Sequence, residues 1–389
     1  MRRANPCGSL WHFGYLCLTV NKHDRQSNIR LMKINYRMGF ALPALIAGIL
    51  AFGSCKSSSK NSSVLQQSAI GKPGELMLVM DKDYFESPMA MQLYDLLEED
   101  APALPQSEPS LRISRVPTPS FEGSLKLVRN VFLLDIDPQR YSKVSLKYSY
   151  DDWAKGQIVA RMTSPSADSV QSYLKTQGEG LMNLFIRHEL FLYGEVVAKT
   201  YSQKATELVD SLFAHRVNVP EDIRNKRVGK DFLWMSNSSM RSRHDILVYT
   251  YPYHSPKDIS LDALVTKRDS VLKANISGEF EGSYPCTEQN YGLLYRRVQL
   301  PEEEMARAEL RGLWKMEGGA MMGGPFVSHA VVDKAAGKVY VFEGFVYRPN
   351  EDKLHLIRMM ESSLYSFRPS AVKVFDPGII LKARYTKGF

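Results

Sequence analysis

A 13-residue apolar run, Phe40 to Phe52, decides how much of this chain is available to fold. Lys33 and Arg37 precede it, and Gly53-Ser54-Cys55 closes it. The run is too short for a hydrocarbon core, which needs roughly 20 apolar residues, and has the length of the apolar part of an export signal. A basic start, a short apolar stretch, two small residues and a thiol predict cleavage before Cys55 and acylation of its sulfur. Lys56 to Ser63 then reads as a polar leash with no packing face. On this reading residues 1–31 are an upstream extension, with translation starting at Met32. Residues 32–54 are the signal peptide and 55–74 the flexible tether.

This layout resembles that of bacterial lipoproteins, although Phe52 stands where many of them carry Leu. It implies a cell-envelope protein held to a membrane, the outer membrane on its periplasmic side, through a lipid on its first mature residue. Two or more acyl chains suffice for stable anchoring. Of the four cysteines, Cys7 and Cys17 leave with the signal and Cys55 is consumed by lipid. Cys286 remains unpaired, and a buried structural thiol is its expected role. Residues 1–54 hold seven of the 50 Lys and Arg but one of the 42 Asp and Glu, so the remainder carries a formal charge of +2. Nucleic-acid binding loses its main support with that charge.

The mature part is long enough for two α+β lobes, 75–216 and 217–368. In the first, strands are predicted at Glu75–Met80, Arg112–Pro117, Asn130–Ile136 and Lys143–Tyr150. Ser87-Pro88 marks one helix start, and Ser164-Pro165-Ser166 opens a long helical region, about 165–215, with kinks or breaks expected at Gly178, Gly180 and Gly194. In the second, strands near Phe232–Met235, Asp245–Tyr253, Leu293–Leu300, Arg307–Glu317, Phe326–Asp333 and Lys338–Tyr347 accompany helices at 260–274 and 353–367. Each lobe is expected to have a mixed or antiparallel sheet covered by helices. Residues 369–389 show no amphipathic pattern and read as a disordered tail.

Chemistry-bearing patterns are sparse. Met316–Phe326 is the most unusual stretch. Met316, Gly318, Gly319, Met321, Met322, Gly323, Gly324, Pro325 and Phe326 make a flexible, soft-sided segment, either a binding loop or a tight hairpin turn. It lacks the ending of a phosphate loop. Asp81 and Asp83 follow a strand end, where paired carboxylates serve acid–base chemistry or act as turn formers. His329 is the histidine best placed for polar work. No histidine pair has metal-ligand spacing, so neither a metal nor another cofactor is expected. Tyr249, Tyr251 and Tyr253 alternate along a strand, as a ligand platform or as core.

Ser283-Tyr284-Pro285, Gly312-Leu313-Trp314, Met322–Phe326 and Glu343–Tyr347 together resemble a family of bacteroidete-type lipoproteins known only as a domain of unknown function. The resemblance runs from about Gly74 to Phe367. It implies a lipid-anchored α+β protein of the envelope and brings no catalytic residues with it. The strand order of the second lobe is similar to the Mog1/PsbP-like sandwich. The expected function is a non-enzymatic module that binds an envelope protein or ligand. The alternative is an envelope hydrolase with an acid/histidine site, drawn from Asp81, Asp83 and His329, in a cleft between the lobes.

Overall fold

The computed structural model describes residues 66–301 and 305–387. The signal, Cys55 and most of the tether lie outside the described residues. Strand β1 (Glu75–Met80) is buried at every residue but the first. The start of α1 (Pro88–Leu97) is fixed locally: Ser87 Oγ accepts the Ala90 N–H at 3.2 Å, and Pro88 stands where a missing N–H costs nothing. Strands β2 (Arg112–Pro117), β3 (Asn130–Ile136), β4 (Ser145–Tyr150) and β5 (Ile158–Ser164) complete a five-stranded sheet in the order β2-β1-β3-β5-β4. All neighbours run parallel except β4, which lies antiparallel to β5. Helix α1 and the long α2 (Ala167–Lys199) cover one face, burying Leu78, Phe132, Met162, Leu181 and Phe185. Val79, Val131 and Val159 on the other face lie against Phe121, Leu125 and Trp153.

The glycines of α2 do not break it. The helix runs from its cap at Ser166 straight through Gly178, Gly180 and Gly194 and stops at Thr200. Two of these glycines are points of close approach. A Cβ at Gly178 would lie 3.0 Å from Leu96 of α1, and one at Gly194 would lie 2.9 Å from Ile380. The chain restarts as α3 (Gln203–Phe213) because Ser202 supplies a new cap, accepting the Ala205 N–H at 3.3 Å. Val209 and Phe213 pack into the second core, so the division between lobes falls at about 200–202 rather than at 216.

The remaining elements are β6 (His215–Arg216), β7 (Asn225–Gly229), β8 (Phe232–Ser236), β9 (Arg243–Pro252), α4 (Leu261–Asn275), β10 (Tyr284–Glu288), β11 (Leu294–Gln299), β12 (Arg307–Glu317), β13 (Gly323–Asp333), β14 (Lys338–Tyr347), α5 (Leu354–Leu364), β15 (Arg368–Pro369), α6 (Gly378–Leu381) and β16 (Arg384–Lys387). β6 and β15 pair with each other, and the other strands form a nine-stranded antiparallel sheet. Its order is β16-β11-β12-β13-β14-β9-β8-β7, with β10 on the far half of β12. Both faces are buried. Leu233, Ile246, Val327 and Phe342 meet Leu356 and Met360 of α5 on one side. Leu247, Trp314, Phe326 and Val341 meet Leu264 and Leu272 of α4 on the other. The class is α+β, with one mixed and one antiparallel sheet.

The C-terminal segment is ordered, contrary to the sequence reading. Strand β16 pairs with β11 from Gln299↔Arg384 to Arg296↔Lys387, while Ile380 and Ala383 are buried beside Leu190 of α2. A four-residue edge strand carries too little pattern to be read alone; β11 supplies its order. Helix α5 ties the lobes together. The Glu108 carboxylate of the first lobe accepts the N–H groups of Lys353 and Leu354 at 2.8 and 2.9 Å, satisfying donors that open the helix. Arg358 donates to the Ser110 carbonyl at 2.8 Å, and Ser362 Oγ to that of Leu190 at 2.8 Å. Among the described residues, no helix is long and apolar enough to cross a membrane.

Candidate functional site

The glycine- and methionine-rich stretch is the β12–β13 hairpin. Its turn is shorter than the sequence reading allowed: only 318–322 connect the strands, and Gly323 to Phe326 lie in β13. Gly318 opens the turn at φ +63°, a conformation L side chains rarely adopt. Gly324 is required by crowding. A Cβ there would collide with the Val346 carbonyl oxygen, which accepts the Trp314 indole N–H at 3.0 Å. Pro325 and Phe326 face inward, and the Arg268 guanidinium lies 3.8 Å from the centre of the Phe326 ring. Five of the nine residues, Met316 in β12 and Gly323 to Phe326 in β13, therefore shape strands rather than a loop.

Two of the nine, Met316 and Met322, line a cleft. The segment 276–283 docks against the turn so closely that a Cβ at Gly319 would lie 2.9 Å from Ser283. Between turn and segment opens this cleft, of about 270 Å³. Met316, Ala320 and Met322 line it from the hairpin, Ile276 and Gly278 from the docked segment, Pro285 from β10, and Trp234, Trp314 and Phe345 from β8, β12 and β14. Trp314 and Phe345 pack edge to face at 5.4 Å. Arg243 stands at the cleft with its guanidinium 5.3 Å from the Trp234 ring and its Nε 3.0 Å from Asp245. Trp234 Nε1 donates to the same carboxylate at 2.9 Å, and burial raises the Asp245 carboxyl while Arg243 opposes the rise. Glu279 is the other charged residue of the lining. Met321 at the tip is fully exposed, and Phe280 nearby is largely so. Such a site holds an apolar group by shape and soft contact, with polarizable thioethers adapting to it.

The aromatic walls escaped the sequence reading. Trp234, Trp314 and Phe345 are distant in sequence, and only strand register unites them; each looks there like an ordinary strand residue.

Asp81, Asp83 and His329 are not brought together. Asp81 Oδ1 accepts the Asp83 N–H at 3.1 Å, capping a short turn after β1, and both acids are exposed. His329 is wholly buried on β13. Arg307 Nη1 lies 3.1 Å from its Nδ1 and Glu309 lies 3.5 Å from its Nε2. Arg307 can only donate, so Nδ1 accepts and the ring proton sits on Nε2, towards Glu309. Burial pulls His329 down to about 4, Arg307 adding to the effect and Glu309 opposing it. Burial resists ionisation of Glu309, yet Arg296 and Arg311 hold it well below the usual carboxylate range. These groups are a sealed ionic cluster rather than a reaction site.

Arg268 of α4 pins that helix to the sheet, and its neighbour Asp269 helps by accepting from Thr287 N–H and Oγ1 on β10 at 2.8 and 2.7 Å. Arg268 bonds both oxygens of Glu343 on β14 at 2.8–3.0 Å and Thr287 at 2.9 Å. Tyr249 and Tyr251 pack into the core above α4, and the Tyr251 hydroxyl donates to the Asp258 carbonyl at 2.8 Å. Cys286 is a buried thiol, raised by burial. Among the described residues, no group of three His, Cys, Asp or Glu side chains is placed to hold a metal ion.

With this architecture described, the family matches fall into place. Residues 202–366 match the model described as domain of unknown function (DUF4837), and residues 69–198 match domain of unknown function (DUF8532). The two matches part where α2 gives way to α3. No curated protein matches the chain. Among solved structures, a point mutant of the protein Mog1 is similar over 43% of this chain and 94% of its own length, at 10% identity and a TM-score of 0.27.

Proposed function

We propose that this chain is a lipid-anchored binding module of the cell envelope, facing the periplasm. It seats one bulky apolar side chain of a partner protein in the cleft beside the β12–β13 turn. The observation that carries this reading is the wall of Trp234, Trp314, Phe345, Met316 and Met322 around a space of about 270 Å³. Exposed Met321 and Phe280 offer an apolar rim around that anchor, the arrangement of an interface centre ringed by water-excluding contacts. The membrane half of the proposal is supported by the Lys33–Cys55 segment.

Both halves can be tested in intact cells. A photo-crosslinking residue at Phe280 is expected to give one discrete protein adduct. Met322→Arg, which fills the cleft, should cut its yield by about tenfold, the effect of losing an anchor worth ~1.4 kcal/mol. Met321→Ala should weaken it without touching the core. An adduct indifferent to both substitutions would remove the cleft from the proposal. Separately, Cys55→Ser should move the protein from the membrane to the soluble fraction.

A further inference from the structure

The chain leaves the first lobe at a fixed place. Gln66 Nε2 donates to the Asp151 carbonyl at 2.7 Å, and the Lys155 N–H to that of Gln67 at 2.8 Å. The Ala69 N–H bonds Lys155 at 2.8 Å and the Ile70 N–H bonds Leu127 at 2.9 Å. These bonds stitch 66–70 to one end of the five-stranded sheet. Eleven residues back from Gln66 lies Cys55, so chain length keeps the two within about 40 Å of each other.

That same end carries a dent of about 260 Å³, lined by Ala69, Pro73, Leu192, Tyr193 and Val196, with Arg129 and Lys155 at its side. Val196 is 57% and Ile70 46% exposed, high for aliphatic residues on a folded surface. The acids nearby are already engaged. Glu189 holds Arg129, Glu195 holds Lys199, Asp152 holds Arg161, and the Glu75 carboxylate accepts the Lys72 N–H. Lys72 and Lys155 are exposed and form no ion pair among the described residues. Lys56 and Lys60 add positive charge to the leash, which has no acidic residue.

We propose that this end of the first lobe rests on the phospholipid bilayer that holds Cys55. Ile70, Val196 and Leu192 enter the boundary between headgroups and acyl chains, and Lys72 and Lys155 meet lipid phosphates. The inference rests on the lipid-anchor reading above and adds an orientation to it: the lobe lies on the membrane instead of swinging freely on its leash.

The test uses the full chain purified from detergent-extracted membranes and reconstituted into phosphatidylethanolamine–phosphatidylglycerol vesicles carrying nitroxide lipids. An environment-sensitive fluorophore is attached through Val196→Cys, or through Met240→Cys as the control, since Met240 is almost fully exposed in the other lobe. Emission from the label at 196 should fall by about half and that at 240 should hardly change. Reversing Lys72 and Lys155 to Glu should lower the ratio of seated to free lobe by about fivefold or more per lysine. Protein that is acylated and floats with vesicles, yet shows equal emission at both positions, would overturn the seated lobe and leave the anchor standing. Protein with no acyl chain on Cys55 that fails to float would overturn both.

Discussion

The five-stranded and nine-stranded sheets solve burial differently. The first packs an almost wholly apolar face under two helices and buries one ion pair, Glu189 with Arg129, beside Asn130 and His188. The second, also covered on both faces, keeps more ion pairs inside: Arg268–Glu343 beneath α4, and Glu309 with Arg296 and Arg311, the last also paired with Glu361 of α5. Apolar packing tolerates a lost group in proportion to the cavity left behind. A buried ion pair tolerates the loss of both partners better than the loss of one. The second lobe should therefore be the brittle one.

The largest effect is expected at that contrast. Arg268→Met strands Glu343 in a fully buried site and should cost about 3–5 kcal/mol in denaturant melts. Adding Glu343→Leu should restore much of it. If the double variant is no better than the single, the ion pair is not what makes the second sheet fragile.

Acid sharpens the comparison because each lobe buries a histidine whose surroundings hold it neutral. Burial, with Arg129 adding to it, pulls His188 down to about 3; its Nδ1 lies 2.9 Å from Asn130 Oδ1. His329 stands at about 4. The unfolded chain takes up protons below about pH 6.5 while the folded chain does not. Stability is thus full above that value and falls as pH drops towards 4, by about 1.4 kcal/mol per pH unit for each histidine. His188→Gln should flatten the pH profile of the melt by about one histidine's worth. An unchanged slope would show that His188 is protonated in the fold.

Two glycines give the smaller effects, with opposite signs. Gly324→Ala places a methyl against the Val346 carbonyl, a backbone atom that cannot turn aside, and should cost about 1–3 kcal/mol with loss of the Trp314 indole bond. Gly180→Ala on α2 meets nothing within 4 Å and should stabilise by about 0.5–1 kcal/mol through helix propensity. Thermal melts of the two variants decide whether each glycine answers to neighbours or only to its helix.

What could be read from the chain follows from how local each cause is. Ser87-Pro88 and Ser260 announce helix starts because a cap is made within four residues, and β1 is legible because every position after the first is apolar. The glycines of α2 were misleading because their reason lies across space, in Leu96 and Ile380. The turn beside the cleft showed itself as a clustering of Gly and Met. Its walls did not, since Trp234, Trp314 and Phe345 become neighbours only after three strands find their register. Arg268 lies on a helix that local pattern predicts, while its partner Glu343 sits in a strand 75 residues later.

Strand β16 has a consequence for the large sheet as a whole. Its four residues, 384–387, form one outer border of that sheet. Peeled away, they would leave β11 showing an unsatisfied row of amides and carbonyls to whatever chain drifts past. This short strand therefore guards the lobe against joining a neighbour edge to edge.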